Sequence, residues 1–194
     1  MALTEPRNSD ERRYASALDL ARSGDRDAPI QIVDYDPSWP ARFNSEVARL
    51  AAVVTLKLQH IGSTAVPGLA AKPIIDLMAV VDDLDAPISA LVERGGYAYP
   101  AAYNATLTQR RWLCRPSATH RTHHLHLVAD PDELIRHIDF RDALRADAQL
   151  AQQYAVLKRD AAARLSDDRE GYTATKTPFV RRVVADFRAV RSPT

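Results

Sequence analysis

The sequence predicts an α+β fold, close to α/β in character: a mixed β-sheet with C-terminal helices packed on it. Three observations carry this expectation. Two apolar segments of strand character, IIDLMAVV and THHLHLV, lie in the first two thirds of the chain. Segments with apolar residues at helical spacing flank them, the last three in succession from about residue 131. A hydrophobic fraction of 46% over 194 residues fills one core, with length left for a tail.

Residues 1–29 are polar and charged. Ala15, Leu18 and Leu20 make too thin a stripe for more than a short helix, and SGDRDAP reads as a linker. This segment is taken as an extension, and residues 30–194 as the domain. IQIVDY is a short strand or an extended lead-in. DPSWP supplies a turn, and Phe43, Val47 and Leu50 then place an amphipathic helix over 40–52. In VVTLKLQHI, Leu56, Leu58 and His60 alternate with Lys57, Gln59 and Ile61, the pattern of a strand. IIDLMAVV, interrupted only by Asp76, is the best central strand.

Asp85 is expected to cap a helix over 86–95, ended by Gly95 and Gly96. YAYP, TQRRWLC and THHLHLV follow as strands. Helices are expected near 131–146, 148–165 and 173–190, with Tyr154, Leu157, Ala161 and Leu165 on one stripe and Phe179, Val183 and Phe187 on another. Their cations Lys158, Arg159, Arg181 and Arg182 read as solvated faces.

Bulk chemistry excludes several classes of function. Lys plus Arg is 26 against 25 for Asp plus Glu, so no broad field favours nucleic acid, and any anion site must be local. The lone cysteine, Cys114, rules out an intramolecular disulfide and a Cys-based zinc site, and fits a reducing compartment. The N-terminus has no apolar signal segment, and no apolar run approaches the ~20 residues of a membrane span. A cytoplasmic protein without a membrane partner is expected.

The chemistry concentrates in two stretches. In HIGSTAVPGLAAKPIIDL, Gly62 lets backbone N–H groups approach an anion, Ser63 and Thr64 add hydroxyl donors, and Lys72 adds a cation. The spacing is not that of a P-loop, and a plain strand-to-loop turn is the competing reading. Asp76 on an apolar strand needs an ion pair, with Lys72 or an Arg, or a metal. Met78 shares its face and denies the Asp-x-Asp pair. In HRTHHLHL, which holds His120, His123, His124 and His126, the last two share one strand face about 7 Å apart. Both imidazoles can converge on one ion. His123 is expected to face the core. Arg111 and Arg115 share a face that Arg110 opposes, and Arg111 and Lys176 are candidate phosphate ligands as well as ordinary surface cations. His60, entering the glycine loop, is a candidate acid, base or further ligand.

YDPSWP, HIGSTAVPGLAAKPIIDL, RTHHLHLV, FRDALRAD, YAVLKR and YTATKTPFV, in this order, closely resemble the GrpB-like (UPF0157) proteins from about Ile30 to the C-terminus. The resemblance implies a place in the nucleotidyltransferase superfamily, and with it a nucleotidyltransferase-type mixed sheet. Members of that superfamily carry a Gly-Ser turn, a strand with Asp-x-Asp or Asp-x-Glu, and a third carboxylate on a later strand. Gly62 and Ser63 match the turn and Asp76 the first carboxylate. Met78 departs from the second, and His124 or His126 stands on the strand of the third. Three carboxylates for two Mg²⁺ are therefore not present, and one Asp with two His suits Zn²⁺, Mn²⁺ or Fe²⁺ better than Mg²⁺.

One expectation is a protein that binds a nucleotide or another phosphorylated small molecule with a divalent metal, and that transfers a phosphoryl or nucleotidyl group. Asp76 and His60 are its catalytic candidates. Gly62, Ser63, Thr64, Lys72, Arg111 and Lys176 are its phosphate ligands, and Asp76, His124 and His126 its metal ligands. GrpB-like domains also occur fused to dephospho-CoA kinases. The alternative is therefore a catalytically inactive binding or folding-assistance module for such a partner.

Overall fold

A computed structural model describes residues 29–191. The short helix and most of the linker expected within 1–29 lie outside the described residues. Ile30 is already part of the domain: it is buried, and its N–H donates to the Ser166 carbonyl at 2.9 Å.

The first helix, α1 (Trp39–Ala51), starts where the Asp36 carboxylate accepts the Ser38 N–H at 2.8 Å and Pro40 occupies the first turn. Its stripe of Trp39, Phe43, Val47 and Leu50 packs on the sheet. The alternation before it reaches the glycine loop predicts a longer strand than forms. Only β1 (Gln59–Ile61) pairs. Val54, Leu56 and Leu58 still pack against the core as extended chain, so the alternation marks burial rather than ladder pairing. IQIVDY and YAYP each contribute a single bridge, Val33 to Ala71 and Ala98 to Cys114.

The central strand is β2 (Ile75–Val80), which pairs antiparallel with β1. Its other neighbour, β4 (Arg121–Val128), runs parallel to it, and β3 (Arg110–Pro116) completes the sheet antiparallel to β4. The order is β1-β2-β4-β3, a mixed sheet as expected.

Between β2 and β3 lie α2 (Ile88–Glu93) and a single turn, α3 (Ala101–Asn104). Asp85 does not cap α2. Asp83 accepts from the Asp85 and Ala86 N–H groups at 2.8 and 3.2 Å, and Asp85 turns to Arg111 instead. Gly96, at φ +63°, ends the segment. The α3 turn has no periodic signal. Buried Asn104 holds it, accepting the Trp112 N–H at 2.7 Å and donating to the carbonyls of Pro100 and Trp112.

The C-terminal helices are α4 (Pro131–Ala146), α5 (Ala148–Arg164) and α6 (Arg169–Arg191). Asp130 caps α4 ahead of Pro131. Asp147 ends α4 and caps α5, accepting the Gln149 and Leu150 N–H groups at 2.9 Å each. The third helix starts four residues before the expected residue 173, because its first turn is polar. None of the described helices is long and apolar enough to cross a membrane.

The sheet separates two apolar layers. On one face, α1 and α2 bring Trp39, Leu50, Leu91 and Val92 onto Ile75, Leu77, Leu113, Leu125 and Leu127. On the other, α4 to α6 pack through Leu144, Tyr154, Phe140 and Phe179 onto Val66, Leu69 and Ala70, with Leu134 against Ile61, Met78 and Val128.

The first face also buries a charge. Glu46, 3% exposed, accepts from Arg49 at 2.6 and 3.0 Å, from the Tyr97 hydroxyl at 2.7 Å, and from Arg115. Burial raises its pKa, but these donors outweigh that and hold it below the ordinary value. Glu46→Ala leaves Arg115 and Tyr97 without their acceptor. The expected cost is about 3–5 kcal/mol, read as a lower urea midpoint. An unmoved midpoint would show that the network adds nothing to the fold.

Candidate functional site

Parallel pairing of β2 with β4 sets Asp76 directly beside His124 and Met78 beside His126. These residues face the α4–α6 layer. The His124 Nδ1–H donates to Asp76 Oδ1 at 2.9 Å, and His126 Nε2 lies 3.8 Å from the same oxygen. One ligand atom from each of the three residues lies within 4.8 Å of the others, the grouping that the sequence predicts. Two ligands on one ion at ~2.1 Å stand roughly 3.0–3.4 Å apart, so the observed spacings bracket a shared ion.

Burial pushes the Asp76 carboxyl up. The hydrogen bond from His124 and the nearby His126 outweigh this and hold it well below the usual carboxylate range. Burial also pulls His124 below its ordinary value, against the opposing pull of Asp76. The resulting set, an ionised carboxylate beside a neutral imidazole, takes a metal on release of the His124 Nδ1 proton that now bonds Asp76. His124 Nε2 and His126 Nδ1, the ring nitrogens farther from Asp76 Oδ1, are buried without a hydrogen-bond partner. Trp112 shelters His124, its ring 5.2 Å away.

Gly62 has φ +72°, and a Cβ built there would stand 2.5 Å from Asp76 Oδ2. Both facts demand glycine. Behind it, Ser63 opens a single 3-10 turn. Gly62→Ala must unseat Asp76 or the turn. A loss of about 1–3 kcal/mol is expected, together with weakened metal uptake in an equilibrium-dialysis assay. Full metal affinity in a folded Gly62→Ala protein would separate the loop from the carboxylate.

Cations form the next wall. Lys72 Nζ lies 4.2 Å from the centroid of the Tyr172 ring, and Lys176 Nζ lies 4.1 Å from the same centroid. Burial pulls Lys72 down to about 7. The charges of Lys176, Arg169 and Arg121 add to that, while Asp76 opposes it. Lys176 is pulled to about 8 by burial, again against Asp76. Lys158, expected on a solvated face, is instead 2% exposed. Its ammonium donates to the Ala70 carbonyl and lies 4.8 Å from the Tyr154 ring centroid. Among the described residues, no carboxylate lies within salt-bridge distance of Lys72, Lys158 or Lys176, and the Asp76 carboxylate pairs with histidines.

The sequence places Tyr154 only on a helix stripe and Lys158 only on a solvated face, and it does not single out Tyr172. Their signal is a repeated Tyr-x-x-x-Lys, YAVLK on α5 and YTATK on α6, which sets each lysine over the tyrosine one turn before it. His137 on α4 is another such residue. Burial pulls it to about 4, and the charge of His126 lowers it further.

Three expected members stand elsewhere. His60 pairs with Leu77 in the β1–β2 register, so it projects from the opposite face to Asp76. It stacks on Phe43 at 4.6 Å, and its Nε2 lies 3.1 Å from Thr64 Oγ1, which itself donates to the Ile74 carbonyl at 3.1 Å. Thr64 has thus committed its hydroxyl proton, and His60 Nε2 donates to it. Burial pulls His60 to about 4. Both residues fasten the loop to the strand rather than facing a ligand. Arg111 projects from the face that carries Leu127 and Leu113, where it pairs with Asp85 at 2.7 and 3.0 Å. His123 faces the core at 8% exposure, as expected.

A family model described as GrpB protein matches residues 29–186. The chain belongs to the GrpB family. A GrpB relative in Pseudomonas aeruginosa, a UPF0157 protein, is 34% identical over all of this chain and 79% of its own length. The crystal structure of conserved protein GrpB from Enterococcus faecalis superposes with a TM-score of 0.71 at 33% identity, covering 84% of this chain and all of that one. A dephospho-CoA kinase of Mycolicibacterium paratuberculosis is 30% identical over 79% of this chain, but the match spans only 45% of the kinase. The UPF0157 protein YqkA of Bacillus subtilis, 34% identical over 78% of this chain, is likewise matched over 45% of its length.

Proposed function

We propose that this GrpB protein binds a phosphorylated small molecule, such as a nucleotide, together with one divalent transition metal. Asp76, His124 and His126 hold the metal. The Gly62–Ser63 turn, Lys72 and Lys176 face the phosphate. The observation that carries this reading is the convergence of one carboxylate and two imidazoles beside lysines that, among the described residues, have no carboxylate within salt-bridge distance. A carboxylate and two nitrogens suit Zn²⁺, Mn²⁺ or Fe²⁺ better than Mg²⁺. Such an ion, when bound, polarises a phosphoryl oxygen. The protein's own groups supply orientation: the lysines neutralise the phosphate charge, and Trp112 and Tyr154 close the site against water.

Phosphoryl or nucleotidyl transfer on a nucleotidyltransferase-type scaffold is the corresponding activity. Met78 argues for a single-metal version, because it is buried with Ile61, Val128 and Leu134 where a second carboxylate would stand. The alternative, a partner-assisting module for an enzyme such as dephospho-CoA kinase, draws on the relatives with that name, in which this region forms under half of the chain.

A thermal-shift panel of divalent metals, nucleotides and CoA precursors separates the two. A ligand at 100 times its dissociation constant adds about 2.7 kcal/mol, or roughly 5–10 °C for a domain of this size. Metal and nucleotide shifts that reinforce one another support the binding site. A flat panel favours the partner module.

A further inference from the structure

The metal triad and the lysines form two centres rather than one. Asp76 forms its close contacts with His124 and His126, not with Lys72 or Lys176. Lys72 stands only four residues before Asp76, on the loop that enters β2, and Lys176 shares the Tyr172 ring with it, so the centres are neighbours. Each lysine is seated on the Tyr172 ring, Lys72 from the loop that precedes β2 and Lys176 from α6. Lys158 fixes that loop from behind through the Ala70 carbonyl. On the sheet itself no second metal position exists beside Asp76, since Met78 sits in an apolar cluster.

One divalent ion on the triad matches one phosphoryl group. The adjacent charge must then be met by the lysine pair. Resting on the metal-site reading above, we propose that the site recognises a diphosphate: one phosphoryl group on the metal, the neighbouring one between Lys72 and Lys176, with the two ammonium groups in the place of a second ion. The ligand class is therefore one with at least two linked phosphates, and orthophosphate engages only one of the two centres. Tyr172 is the positioning residue, because its ring holds both lysines at about equal distance.

Calorimetric titration of the full chain in the presence of Mn²⁺, with inorganic pyrophosphate and with orthophosphate, tests this. Pyrophosphate is expected to bind about 100-fold more tightly, since it gains two charge-assisted bonds at roughly tenfold each. The Lys72→Met/Lys176→Met variant keeps the aliphatic stems over Tyr172. It is expected to lose the pyrophosphate preference with Mn²⁺ still bound. Equal affinity of the two anions for the wild type overturns the diphosphate assignment and leaves the metal site standing. A preference that survives intact in the double variant overturns it as well. Failure of the wild type to take up Mn²⁺ removes both this assignment and the metal reading beneath it.

Discussion

Asp76→Ala protein is expected to take up Zn²⁺ or Mn²⁺ at least about 100-fold more weakly than the wild type, in equilibrium dialysis with the ion quantified directly. Loss of an outer-shell partner alone costs roughly 10–100-fold, and Asp76 supplies the only carboxylate of the triad. Its removal also leaves His124 Nδ1 without the acceptor it holds at 2.9 Å. Asp76→Asn makes the sharper variant: it keeps the shape against Gly62 but loses the charge. It should therefore fold, show an unchanged circular dichroism spectrum, and still lose the ion. Undiminished uptake by a folded Asp76→Asn protein would place the ion elsewhere on the molecule.

Acid should unfold the protein steeply, and over a defined window. Burial pulls His60, His123 and His137 from the ordinary 6.5 to about 4. Between those values the unfolded chain binds protons that the native state refuses, so stability rises with pH and falls as pH drops from about 6.5 to 4. Each such histidine contributes up to about 1.4 kcal/mol per pH unit. From pH 7 to pH 5 the three together lose roughly 5 kcal/mol as an upper figure, a large share of the ~5–15 kcal/mol of a typical domain. Asp76 adds nothing within this window. Its pKa is depressed, so its contribution is complete above the unfolded value near 3.9 and is lost only below it. Urea unfolding at pH 7, 6 and 5 measures the slope, and His60→Gln should reduce it by about a third. A pH-independent midpoint would mean that these imidazoles are protonated in the native state.

How much was legible in the sequence differs from residue to residue, for physical reasons. Period-two alternation placed His124 and His126 on one face and His123 on the other, because neighbouring side chains on a strand always diverge. The composition of IIDLMAVV pointed to a central strand, and β2 does pair on both sides. The ranges expected for α4 and most of α5 match the structure, where Asp130 with Pro131, and then Asp147, stand at those ends.

Alternation within one strand does not say which face it shares with another strand. That depends on register, and the His60–Leu77 pairing turned His60 away from Asp76. Thr64 and Arg111 followed the same logic: each found a structural partner on its own side, Ile74 for one and Asp85 for the other. Lys158 failed in the opposite direction. A lysine on a helix reads as solvated, but a tyrosine one turn earlier offers its ring, and the ammonium stays inside when a carbonyl completes its bonding.

The convergence of Asp76, His124 and His126 on one ion is tested most directly by metal stoichiometry. Wild-type protein stripped with chelator and dialysed against Zn²⁺ or Mn²⁺ is predicted to hold about one ion per chain, and the His124→Ala/His126→Ala variant none. No retained ion in a folded wild-type protein, with or without pyrophosphate present, would contradict it.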